Sequence, residues 1–398
     1  MSNTSNFFDK KKEWSKVKDE LLSCYFTPYV AKILHTKKPL LYVDCFAGKG
    51  KFNDGNVGSP IIALDILKGA SNNSKIQNPV VHTVFIEKKF ANELEMNLKS
   101  YSNAQVIHGK YAEQINGILQ GKKQFNAFLY IDPFGISGIP FSLFDGFSKM
   151  QLNTIEILLN FNSFGFIRNA CKAMNTSFDL EDEFSDFLYF DADEYDYSDK
   201  SIQRLNNIAG GDYWQEIIKS KKTGKIDGYE AERLFAEKYC SKLKESYKYV
   251  LNMPIRIKKV HRPKYRMIHV TNHPDGCLLM AENIQNRWEY MKNIQNKGQL
   301  SFLTENCENE IISSDELETK VSSHFSLYDK PCHLHIALAE FYTKYGPICK
   351  KSDITDVLRT YENKGIITIK RIPEFTKSGK KSTFMSENNA QSVTILWN

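Results

Sequence analysis

Apolar residues Trp14, Val17, Leu21, Leu22 and Tyr25 recur at helical spacing, so the chain is expected to open on a helix. Thr27 followed by Pro28 reads as an N-cap with proline at the first helical position, which predicts a second short helix through Tyr29, Val30, Ile33 and Leu34. From residue 40 the rhythm changes. Short apolar runs alternate with helical stretches: LLYVDC (40–45), a glycine-bearing loop, and a helix opened by Ser59-Pro60. Then come VVHTVFIE (80–87), the helix KKFANELEMNLKS, a short strand over 104–108, and a helix through 113–119. FNAFLYI (125–131) ends in Asp132-Pro133-Phe134-Gly135, and IEILLNF (155–161) follows. Strands that alternate with helices in this way predict an α/β, Rossmann-like fold with a parallel sheet covered on both faces.

Between 165 and 245 the strand signal is lost, and the stretch reads as a helical insertion carrying the run DLEDEFSDFLYFDADEYDYSD. Strand patterns return at 248–259 and 265–271. With 276–280 and a helix over 281–293, they complete the sheet as an antiparallel edge. The tail reads helix (332–345), a Gly346-Pro347 break, a helix capped by Ser352, a strand, a basic loop and a strand, the outline of a winged helix. The expected organisation is therefore N-terminal helices on the core (1–39), one α/β domain (40–295, insertion about 165–245), a polar linker (296–330) and a winged helix-turn-helix domain (331–398).

Composition narrows the class. The chain has 398 residues, and 41% hydrophobic and 25% charged residues mark a folded protein, not a disordered one. No run approaches the ~20 apolar residues of a membrane span, and no signal peptide is recognisable. Eight cysteines (24, 45, 171, 240, 277, 307, 332, 349) are scattered without a CxxC pair, which fits reduced thiols in a soluble, cytoplasmic protein. The net charge of +6 is unevenly spread. Residues 176–199 hold ten acids and no Lys or Arg, whereas residues 330–398 hold eleven Lys+Arg against six acids. That distribution favours a polyanionic partner kept away from the acidic segment.

The candidate chemistry lies at strand ends, where open parallel sheets bind ligands. Asp44-Cys45-Phe46-Ala47-Gly48-Lys49-Gly50 places an acid and two glycines after the first strand. The spacing is not that of a phosphate loop, and the third glycine of a dinucleotide site is missing, which disfavours a nicotinamide oxidoreductase. Glu87 ends the second strand, where it can accept from ribose hydroxyls. One acid, one glycine loop and one ribose acceptor suit a nucleoside with a cationic tail, such as S-adenosylmethionine. Asp132, Pro133, Phe134 and Gly135 end the fourth strand, next to the reacting atoms. There Asp132 and the Pro133 carbonyl can accept from an exocyclic amine, and Phe134 can stack on an extruded base. Each element also has a plainer reading, as a tight turn, a surface carboxylate and turn chemistry.

Together, DCFAGKGKFNDGNVGSPIIAL (44–64), the strand ending in Glu87 and YIDPFG (130–135) resemble the three-Cys-motif partner proteins (TcmP). These are prokaryotic proteins with a class I methyltransferase-like domain and often a C-terminal winged helix. The resemblance covers most of the chain and is weak over the acidic insertion. It implies an S-adenosylmethionine site at Asp44, Phe46, Ala47, Gly48, Gly50 and Glu87, closed by Gly58, Ser59 and Pro60. It also implies a partner with a three-cysteine motif of the radical S-adenosylmethionine kind, which would hold the iron–sulfur cysteines. Two departures stand out: His108-Gly109-Lys110-Tyr111 lacks the acid that usually holds the adenine amine, and Asp-Pro-Phe-Gly is not Asp-Pro-Pro-Tyr. The latter is similar to the motif of tRNA guanine-N2 dimethyltransferases and mildly favours RNA over DNA.

The leading expectation is thus an S-adenosylmethionine-dependent methyltransferase acting on a nucleic acid, probed against a rival in which the same fold serves as a scaffold or DNA-binding subunit. Lys350, Lys351, Arg359, Lys370, Lys380 and Lys381 are the expected nucleic-acid contacts of the tail, with Lys364, Arg371 and Lys377 nearby. Arg168 is placed after the fifth strand to reach the substrate. Residues 256–266 read as a solvated edge or a phosphate-contacting ridge. Cys332-His333-x-His335 lacks a matching second pair, so no metal is expected.

Overall fold

The computed structural model describes residues 8–11, 13–74, 76, 78–178, 195–255, 265–296, 312–388 and 390–398. It divides into two compact units, one ending at Asn272 and one beginning at His273.

The first unit runs α1 (Glu13–Leu34), β1 (Leu40–Asp44), α2 (Ser59–Asn73), β2 (Val81–Glu87), α3 (Ala91–Leu98), β3 (Ala104–His108), α4 (Tyr111–Leu119) and β4 (Asn126–Ile131). It continues α5 (Ser142–Ser148), β5 (Thr154–Phe161), α6 (Ser163–Ala173), α7 (Asp199–Ala209), α8 (Trp214–Lys222), α9 (Gly228–Ser246), β6 (Tyr249–Ile255) and β7 (Tyr265–Thr271). The seven strands lie in the order β3-β2-β1-β4-β5-β7-β6. Strands β1 to β5 are mutually parallel, and β7 is antiparallel to both neighbours, wedged between β5 and the edge strand β6. This is the expected α/β, Rossmann-like sheet. Its strand order reverses between β1 and β4, and the ligand crevice of such sheets opens there.

Alternation along the buried strands feeds two cores. Tyr42 and Phe128 face α1, where Phe26 packs on them with ring centroids 4.9 and 4.8 Å away. Leu41, Val43, Leu129 and Ile131 point the other way, into a core shared with the helical insertion. There Phe166 stacks on Phe235 at 4.0 Å and Phe161 on Tyr239 at 4.7 Å.

Several expectations need correction. The two N-terminal helices are one: α1 passes through Pro28 without a break. Thr27 does not cap, since its hydroxyl donates to the Ser23 carbonyl at 2.8 Å. An interior proline removes a backbone bond at a cost of ~3 kcal/mol. The stripe Tyr25, Phe26, Tyr29, Val30 and Leu34, buried on both sides of Pro28, offsets it. Residues 276–280 form no strand. They belong to α10 (Pro274–Asn296), whose buried Cys277, Met280, Ala281 and Ile284 keep helical period, so the α/β unit ends at Asn272 and not at 295. The expected linker contains α11 (Ser314–Phe325), started by Ser313 accepting from Glu316 N at 3.2 Å. Residues 179–194, most of the acidic run, and 256–264, most of the basic ridge, lie outside the described residues.

The second unit continues with β8 (Cys332–His333), α12 (Leu334–Tyr345), α13 (Lys351–Asn363), β9 (Ile367–Ile372) and β10 (Ser392–Trp397). Its sheet has the order β8-β10-β9, and Cys332-His333 forms a short strand where a helix start was expected. Lys350, not Ser352, precedes the first turn of α13, its N–H bonded to the Asp353 carboxylate at 2.9 Å.

One charge pair is sealed in the first unit. Arg266, expected on an exposed ridge, is buried and forks onto Glu232 of α9 at 2.8 and 2.6 Å, with Ser163 donating to the same carboxylate. Removing one partner strands a buried charge. Glu232→Leu is therefore expected to lose about 3–5 kcal/mol, and Glu232→Leu/Arg266→Leu to recover most of it, as read by urea unfolding monitored at the tryptophans.

Candidate ligand site at the carboxyl edge of the sheet

The loop between β1 and α2 builds one wall. Gly48 and Gly50 have φ of +61° and +72°, where a side chain is strained, and a Cβ on Gly50 would meet Leu94 at 2.9 Å. The loop closes on itself through Gly58 N donating to Gly50 O at 2.9 Å. Asp44 sits behind this wall, fully buried, accepting from Ser59 Oγ at 2.6 Å and from Phe46 N at 3.3 Å. Burial pushes its carboxyl up to about 7, against the pull of those two hydrogen bonds. Asp44 therefore ties the head of α2 to the loop and does not face the cavity, whereas Phe46, Ala47, Gly48, Gly50, Ser59 and Glu87 line it.

Glu87 locks the second wall to the first. Its Oε2 accepts from Gly48 N at 2.8 Å, and its Oε1 from Lys89 N at 2.7 Å and Phe90 N at 3.1 Å. A carboxylate offers about four acceptor positions, so roughly one is left for a ligand hydroxyl. The segment after β3 completes this side: Gly109, Lys110, Tyr111 and Ala112 all line the cavity, which measures about 590 Å³. His108 itself turns outward to Glu95 at 3.0 Å.

The third wall is Asp132 to Gly135, all four lining the cavity, with Pro133 buried and Phe134 38% exposed. Asp132 is not a free acceptor. Lys18 Nζ bridges its two oxygens at 2.8 and 2.7 Å, and Asn160 Nδ2 donates to Oδ1 at 2.6 Å. The Lys18 ammonium also lies 5.5 Å from the Tyr265 ring centre. Beside it, burial pushes Asp19 up to about 6 although Lys11 and Lys18 pull the other way.

Lys18 lines the cavity and is a site residue that the sequence alone did not single out. The signal was present: Lys18 falls on the apolar stripe of α1, four residues after Trp14 and before Leu22, where a lysine needs a buried partner. Arg204 of α7 is a second omission. It lines the cavity mouth next to Tyr195, whose hydroxyl lies 3.2 Å from Ser137 Oγ. Arg168, by contrast, is buried in α6 and does not line the cavity.

In the second unit, Lys350, Arg359, Lys370, Lys380 and Lys381 are exposed, and Lys351 is half-buried. Arg359 pairs with Asp356 at 2.6 Å. Arg371 is buried and forks onto Glu362, so it braces β9 against α13 and offers no surface charge.

No protein-family model and no curated protein matches the chain. Among solved structures, the chain is similar to the putative methyltransferase yhhF from Escherichia coli, at 16% identity and a TM-score of 0.22, over 33% of this chain. The match spans 64% of the E. coli chain, just under two thirds of its length. It is also similar to a geranyl diphosphate methyltransferase solved with GPP and sinefungin, at 11% identity and a TM-score of 0.24, over 62% of this chain and 78% of that one. Among the described residues, no helix is long and apolar enough to cross a membrane.

The buried Asp44 gives the first unit a pH signature. Its folded value of about 7 lies above the 3.8 of an ordinary aspartate, so the folded state holds the proton more tightly. The stabilisation is complete below about pH 4 and is lost as pH rises to about 7. Asp44→Asn, which cannot ionise, is expected to flatten the fall of Tm between pH 4 and 7; a parallel pair of Tm–pH curves checks it.

Proposed function

We propose that the first unit is an S-adenosylmethionine-dependent methyltransferase acting on a nucleic acid, at an exocyclic amine of a base, with RNA favoured over DNA. The observation that carries this reading is the tie between Gly48 N, in the loop after β1, and Glu87 at the end of β2. It sets a glycine cradle and a ribose acceptor side by side, in one cavity with the Asp132–Gly135 corner. The residues fit the cofactor: the cradle leaves backbone toward the methionine end, Glu87 keeps an acceptor position for the ribose, and the 109–112 segment takes the adenine. When bound, the cofactor supplies an electrophilic methyl group on a sulfonium. The chain's own part is alignment. Asp132 has roughly one acceptor position left after Lys18 and Asn160, enough to orient one amine hydrogen. Phe134, partly exposed at the rim, offers a face for a base.

Charge at the mouth supports a polyanion: Lys51, Lys88, Lys89, Lys110 and Arg204 all line the cavity. We read the second unit as a winged helix whose exposed Lys350, Lys370, Lys380 and Lys381 contact the phosphate backbone. The resemblance to TcmP supports a three-cysteine, radical S-adenosylmethionine-like partner.

A second reading, a cofactor-binding scaffold without transfer, draws support from the engagement of Asp132 by Lys18 and Asn160. Calorimetric titration with S-adenosylhomocysteine should give one site, weakened at least about tenfold in Glu87→Ala, the loss expected of hydrogen bonds to a charged group. Tritiated methyl transfer to total RNA and DNA, with the partner present, then separates the two readings. Incorporation that Asp132→Ala abolishes is the expected result. Binding without incorporation, or incorporation indifferent to Asp132→Ala, sinks the enzyme reading, and no binding sinks both.

Lys18 is expected to act as a positioning residue. Lys18→Met should lower kcat by about 10²-fold, as misplacement of a reacting group does, while leaving S-adenosylhomocysteine affinity within about twofold. An equal loss in both measurements would mark it as structural only.

A further inference from the structure

The motif His333-x-His335 has no second histidine or cysteine pair in the sequence, yet the fold supplies a third donor. Glu387, from the segment between β9 and β10, places Oε1 2.9 Å from His333 Nδ1 and Oε2 2.6 Å from His335 Nδ1. The two imidazole rings stand side by side, 5.5 Å between centres, and one donor atom from each of the three residues falls within 4.8 Å of the others. We propose that His333, His335 and Glu387 form a binding site for a divalent transition-metal ion, with Zn²⁺ the ion that this donor set suits.

Three features argue for an ion. Two imidazole nitrogens and one carboxylate match the preference of Zn²⁺, whereas Mg²⁺ and Ca²⁺ favour oxygen-only shells. A tetrahedral ion with bonds of about 2.0–2.1 Å holds its donor atoms roughly 3.3 Å apart, so small side-chain rotations admit it. The carboxylate is already fixed from behind: His335 N donates to Oε2 at 2.7 Å and Val393 N to Oε1 at 3.2 Å, and the side chain is only 10% exposed. Backbone support of that kind orients a ligand without using its metal-facing lone pairs. The His333 side chain is 50% exposed, which leaves one side of the site open for a water or exogenous ligand.

The ion would clasp the segment that carries Lys380 and Lys381 to the head of α12, fixing the basic loop to the body of the second unit. The inference rests only on these residues and stands apart from the methyltransferase reading. Its rival is a proton-filled clasp, in which each histidine donates an Nδ1–H to Glu387.

The test uses the full chain, stripped with a chelator and titrated with Co²⁺. Expected are one bound equivalent with the visible bands of nitrogen–oxygen ligation, no thiolate charge-transfer band, displacement by Zn²⁺ and none by Mg²⁺. His333→Ala/His335→Ala, which leaves both backbone bonds to Glu387 intact, should lose the equivalent. Glu387→Gln, which still accepts from those amides, should weaken binding at least tenfold. No equivalent beyond that of the double variant, or a thiolate band lost in Cys332→Ser, overturns the site. Should the double variant misfold, nitrogen-15 spectra of the native histidines decide: retention of both Nδ1 protons at saturating Zn²⁺ overturns it, and their loss supports it.

Discussion

Parallel strands deliver every loop that leaves a strand to the same edge of the sheet, and the one place where those loops diverge is between β1 and β4. The cavity follows from that constraint. The loop after β1 turns one way over β2, the loop after β4 turns the other way over β5, and the space between them cannot be filled by either. What remains is to keep the walls rigid. The chain does so with carboxylates that point inward from strand ends, Asp44, Glu87 and Asp132, each holding a neighbouring loop or helix by hydrogen bonds of 2.6–3.3 Å.

Such anchoring is costly in isolation, because each carboxylate is drawn out of water. The expense shows in Asp44 and Asp19, whose carboxyls burial drives toward neutrality. Asp132 is met instead by a buried ammonium. Lys18 comes from α1, outside the alternating β/α pattern, so one ion pair joins a helix that precedes the sheet to the ends of β4 and β5. The site is therefore not a property of the doubly wound core alone.

Much of this was legible in the sequence, for local reasons. Strand ends rich in acid and glycine mark themselves, and Glu87, Gly48, Gly50 and Asp132, which stand at such ends, all line the cavity. The direction of a side chain at a strand end is less legible: Asp44 occupies the expected position but turns inward, because Ser59 and Phe46 N offer it partners there. Long-range pairs leave weaker traces still. Lys18 to Asp132 spans 114 positions, and nothing near either residue names the other. The boundary at Asn272 was hidden by a short apolar run, 276–280, which fits a strand or a helix equally until the register Cys277, Met280, Ala281 and Ile284 is seen. Glu387 was invisible beside the histidines for the same reason, 52 residues of separation.

The seating of α1 has a consequence for how the molecule is made. Tyr25 donates to Glu156, and its hydroxyl lies 3.0 Å from His269, a residue 244 positions later. The Tyr25 hydroxyl therefore gains its last partner only when β7, 244 positions further along the chain, has been made. The apolar partners of α1 lie closer in sequence, Tyr42 of β1 and Phe128 of β4, so packing of α1 on the sheet can precede completion of this polar cluster.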